Sequence, residues 1–137
     1  MEMKFNSQIC TTREQSERLL ALGLKKETAD MCHTWHWEFD GYTLLCVPWE
    51  RAHETTNDIP AWSLHRIINL IPERISICGL EHKISIREHS VRYVQSEESY
   101  IGSFYGENLY DMLITCIGWL IKDGYFNKEY LNGTAED

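Results

Sequence analysis

Cys32-His33-Thr34-Trp35-His36, followed by Cys46, brings four possible metal ligands into one short window. Thiolates and imidazoles are the donors zinc prefers. A cysteine beside a histidine base could also act as a nucleophile. The spacing supports neither strongly, because the paired short intervals of structural zinc sites are missing. If strand geometry extends back to Cys32, Cys32 and His36 share one face and Cys46 points to the other. His36 then reads as a cross-strand partner of Leu45. A thiol- or zinc-dependent enzyme or regulator using Cys32, His33 and His36 is the alternative reading.

The remaining reactive side chains carry less. Cys46, Cys78 and Cys116 sit in apolar runs, where burial raises a thiol's pKa and makes it inert. Cys10 lies next to a helix start, where the dipole could lower its pKa. All five cysteines read as structural thiols. Glu97-Glu98, and Glu50 and Glu54 around His53, read as solvated charge. No HExxH, GxSxG, GxGxxG or P-loop pattern occurs. The expectation is no catalytic residue, no metal and no cofactor.

Binding patterns are more numerous. Lys83, Arg87 and Arg92 with Tyr93, Phe104 and Tyr105 follow the aromatic-and-basic strand pattern of single-strand binders. Numbering puts Arg92 at the parity opposite to Lys83 and Arg87, and Glu81, Glu88, Glu97 and Glu98 dilute the charge. This set therefore reads as an ordinary solvated face. Trp35 and Trp37 belong to a uniformly apolar strand face and read as core. Trp49 follows Pro48 at the head of a polar loop, and Trp62 follows its end. Tryptophan is favoured at binding hot spots. Trp49, Arg51, His53 and Trp62 are therefore the expected partner-binding residues.

Composition narrows the classes. The chain has 137 residues, 13 basic and 21 acidic side chains, and a formal charge of −8. A domain of this size builds a core without a disulfide or metal staple. An acidic chain is a poor non-specific binder of nucleic acid, which needs cations to displace counterions. The same charge permits a third reading, an acidic nucleic-acid mimic. The longest apolar stretch, Leu109 to Ile121, is too short for a bilayer and contains Asp111. No secretory signal is evident at Met1–Asn6, so the expected location is cytoplasmic.

The elements follow from local chemistry. Thr11 or Thr12 opens a first helix with a capping box, and Gly23 closes it. Asp40-Gly41 between aromatic and β-branched runs predicts a hairpin with Trp37 opposite Leu44 and Trp35 opposite Cys46. Pro60 predicts the first turn of a helix running to Ile71. Ile75, Ile77, Ile84 and Ile86 are the inward positions of two strands, and a turn or bulge near Glu88-His89-Ser90 must restore the facing for Val91 and Tyr93. Ser99–Tyr105 is the last strand. Asn108 caps a final helix, with Tyr125, Phe126, Tyr130 and Leu131 packing back. This order predicts an α+β class: an antiparallel sheet, hairpin plus meander, with about three helices packed on one face. Residues 1–131 read as a single domain and 132–137 as a flexible tail.

Three segments, Glu14–Met31, Ile59–Glu73 and Asn108–Phe126, together resemble an uncharacterised family of small prophage and mobile-element proteins of gut bacteria. Pro60-Ala61-Trp62-Ser63-Leu64 is the most specific part. The resemblance implies a context and no site residues: a phage-related accessory protein acting through another macromolecule. The expected partner is a protein, with no membrane association.

Overall fold

The computed structural model describes residues 8–38, 41–48, 59–96 and 99–133, with 34–38 and 41–48 described by their backbone alone. Thr12 caps helix α1 (Arg13–Ala21). Its side chain accepts from the Gln15 backbone, and the Gln15 side chain accepts from the Thr12 N–H, closing the capping box. Gly23 follows at φ 103°, a conformation glycine adopts at no steric cost. A 3₁₀ turn at Lys26–Thr28 leads into the first strand.

Strands β1 (Met31–Glu38) and β2 (Gly41–Pro48) form the expected hairpin in a different register. Trp37 lies opposite Tyr42, Trp35 opposite Leu44 and His33 opposite Cys46. Gly41 is thus a strand residue paired with Glu38, not half of the turn. The shift is two residues, so the alternating sets that share a face are unchanged.

Pro60 does not begin a helix. It lies in β3 (Ile59–Ala61), which pairs with β1 on the side away from β2. An edge strand tolerates a proline because one of its sides needs no N–H. Helix α2 spans only Leu64–Leu70 and is capped by Ser63, whose hydroxyl accepts from the Arg66 N–H.

The second sheet is a meander in the order β4-β5-β6-β7: β4 (Arg74–Ile77), β5 (Leu80–Arg87), β6 (Ser90–Ser96) and β7 (Ser99–Tyr105). Cys78 and Gly79 join the first two strands with φ 53° and 79°. Positive φ at both positions belongs to a type I′ turn. Two residues, Glu88 and His89, join β5 to β6, and this turn restores the facing of Val91 and Tyr93. Helix α3 (Leu109–Lys122) starts at Asn108, whose side chain accepts from the Asp111 N–H.

Helix α3 lies across β6 and β7, with α1 packed against it. Leu113, Ile117 and Leu120 are buried with Val91 and Tyr93 in one apolar cluster. Among the described residues the chain is an α+β protein of three α-helices and two antiparallel sheets. None of its described helices is long and apolar enough to cross a membrane.

Candidate functional site

Trp62 is fully buried, which removes it from the expected contact surface. Its indole N–H donates to Thr28 Oγ1 at 3.0 Å. Its backbone N–H donates to Thr11 Oγ1 at 3.0 Å, and its carbonyl accepts from the Thr11 N–H at 2.9 Å. A buried indole needs a partner for its N–H, and this fold supplies one internally. Trp49, Arg51 and His53 lie outside the described residues.

Of the cysteine and histidine window, only the Cys32 and His33 side chains are described. Cys32 is buried, and on β1 it alternates with His33. His33 Nε2 instead donates to the Thr11 carbonyl at 2.7 Å. The His36 side chain lies outside those described. Among the described residues no group of three His, Cys, Asp or Glu could hold a metal.

Two expectations about thiols change. Cys10 is disulfide-bonded, so it is not a structural thiol. Cys78 is exposed at the β4–β5 turn rather than enclosed in an apolar run. Cys116 is the inert core thiol expected: burial pushes its pKa up to about 12.

The side chains that do assemble are on the outer face of the meander, the face turned away from α3. Ser85 lies directly opposite Arg92, so Lys83, Ser85, Arg87 and Arg92 share one side of the sheet. Sequence parity separated Arg92 from the two others. A two-residue turn pairs odd positions with even ones, and Glu88-His89 does this here. Val94 lies opposite Tyr100, which joins the same face.

A β-bulge shapes the neighbouring strand. Tyr93 pairs with Ile101 and Val91 with Phe104, so Gly102 and Ser103 together oppose Arg92. Gly102 has φ 60°, and a Cβ there would stand 3.0 Å from the Trp119 ring. Glycine at this position therefore allows both the bulge and the close approach of α3. Trp119 also contacts Tyr93, Phe104 and Tyr125 on the inner side.

The result is an open groove of about 710 Å³ lined by Lys83, Arg87, Arg92, Gln95 and Tyr100. The Arg92 guanidinium carbon sits 4.7 Å from the centre of the Tyr100 ring, a cation–π contact. Arg92 Nε is buried and has no hydrogen-bond partner. Tyr100 is 43% exposed and Tyr105 is 67% exposed. Arg74 pairs with Glu81 at 2.6 Å, and Lys83 is 4.0 Å from Glu73. Among the described residues neither Arg87 nor Arg92 has a carboxylate within ion-pair reach. Tyr93 and Phe104, which the sequence pattern joined to this set, face the core instead. Tyr100 was missed, and its pairing with Val94 is visible only in the register.

The described residues thus form an α+β protein with a cationic, aromatic face on its four-stranded sheet. The chain matches no family model, no curated protein and no solved structure.

Proposed function

We propose that the protein is a non-catalytic binding module that holds an anionic macromolecule on the outer face of the meander sheet. One observation carries this reading. Among the described residues, the guanidiniums of Arg87 and Arg92 have no carboxylate within ion-pair reach, and Arg92 Nε is buried without an acceptor. An anionic ligand would supply the counter-charge that the exposed Arg87 side chain lacks among the described residues. The family resemblance supports a role as an accessory protein of a phage or other mobile element, working in the cytoplasm.

Titration of isotope-labelled protein with heparin, a soluble polyanion, tests this reading at low salt. Amide shifts are expected at Lys83–Arg87, Arg92–Gln95 and Tyr100. Shifts confined to other parts of the fold, or none, would overturn it.

A further inference from the structure

Resting on that reading, we infer that the anionic partner is a single-stranded nucleic acid, with phosphates on Lys83, Arg87 and Arg92 and a base against Tyr100. Three features of the face separate this partner from other polyanions.

Aromatic surface comes first. Tyr100 is partly exposed within the cationic cluster, and Tyr105 is exposed on the same strand. An acidic peptide would satisfy the cations and leave the rings idle, whereas every base has a π-face to stack. Shape is the second feature. The groove lies on a sheet face between a strand carrying Lys83 and Arg87 and a strand carrying Tyr100. Those strands are two spacings apart, roughly 10 Å. The bases of a duplex are already stacked on one another, so a duplex offers this face phosphates and no free π-face for Tyr100. The third feature is the placement of Arg92. Its guanidinium is already held against the Tyr100 ring, so a phosphate contact and a stacked base can be presented together with little ordering cost.

The net charge of −8 acts against long-range attraction of any polyanion. Its reach is limited, because charges more than about 10 Å apart are largely screened at 0.1 M salt. Binding is therefore expected to be local and to show a shallow salt dependence. Three phosphate contacts to a single strand give a slope of about −2 in log K against log salt.

The experiment is fluorescence anisotropy with labelled oligouridine and oligothymidine of about ten nucleotides, with a duplex of equal length and a polyglutamate peptide for comparison. Both single strands are expected to bind at low salt, and more tightly than duplex or peptide. Tyr100→Ala should weaken binding by about 5- to 150-fold, the range of one lost stacking contact, while Tyr100→Phe retains it. Arg87→Gln, at an exposed side chain with no ion pair among the described residues, should fold normally and reduce the salt slope by about 0.7. Equal binding of duplex or polyglutamate would overturn the inference, as would a Tyr100→Ala variant that binds like the parent. If heparin shifts the outer face and neither oligonucleotide binds, the binding-module reading stands and this inference fails. If neither heparin nor an oligonucleotide binds, both fail.

Discussion

The junction around Trp62 and the outer face of the meander use similar side chains and reach opposite outcomes. At the junction the buried polar side-chain groups close on one another. Trp62 bonds to Thr11 and Thr28, the Thr11 and Ser16 hydroxyls meet at 2.8 Å, and Arg66 Nε donates to the Thr28 carbonyl at 2.7 Å. Asp30 accepts from both the backbone and the hydroxyl of Ser63. On the outer face, among the described residues, Arg87 and Arg92 have no carboxylate within ion-pair reach, and Arg92 keeps a buried N–H without an acceptor. A polar group that is satisfied inside the fold serves the fold. A surface cation with no counter-charge beside it is available to an anion from outside.

Substitutions can break this contrast at either end. The largest effect is expected at the junction. Trp62→Ala removes a fully buried indole and leaves the backbone network around a cavity. Urea unfolding should show a loss of about 3–5 kcal/mol. Gly102→Ala comes next. It forces a Cβ against Trp119 at a left-handed φ, and a loss of about 1–3 kcal/mol is expected by the same measurement. Because the bulge sets the strand opposite Arg92, oligonucleotide binding should fall as well.

Raising the pH probes the core that separates the two regions. Burial lifts the Cys116 thiol from 9.0 to about 12, and burial with nearby Cys116 lifts the Tyr93 phenol above its usual 10.0. Both groups stay neutral in the fold while the unfolded chain ionises. Their contribution to stability is complete below pH 9.0 and is lost as pH rises toward 12. The urea midpoint should therefore drop between neutral pH and about pH 10.

The smallest effect on stability is expected on the outer face. Arg87→Gln should change unfolding free energy by less than about 0.5 kcal/mol while weakening polyanion binding. A large stability loss there would place Arg87 in the structural class and erase the contrast. Thiol labelling adds a check without mutation. Native protein should alkylate first at Cys78, with Cys116 protected and Cys10 labelled only after reduction.

Local elements were readable where neighbours in sequence suffice. The capping box at Thr12, the cap at Asn108, the strand Ser99–Tyr105 and the helix Leu109–Lys122 each depend on residues a few positions apart. The hairpin was readable too, but not its register, since Asp40-Gly41 competes with the pairing of Gly41 opposite Glu38. Pro60 misled for a related reason. The residue suits a helix start and also an edge strand, and only the presence of β1 beside it chooses between them.

The cationic face needed more than neighbours. Lys83, Arg87 and Arg92 were visible as a set, but their common side depends on a two-residue turn, and Tyr100 joins through pairing with β6. The burial of Trp62 depends on Thr11 and Thr28, 51 and 34 residues away. The sequence by itself determined the α+β class, the helix caps and most strands, because propensity and capping act over a few residues. The tertiary structure alone decided that Trp62 is core, which arginines lack a carboxylate among the described residues and which tyrosine stands beside them. Those outcomes depend on long-range packing, because they follow from which groups the folded chain brings together.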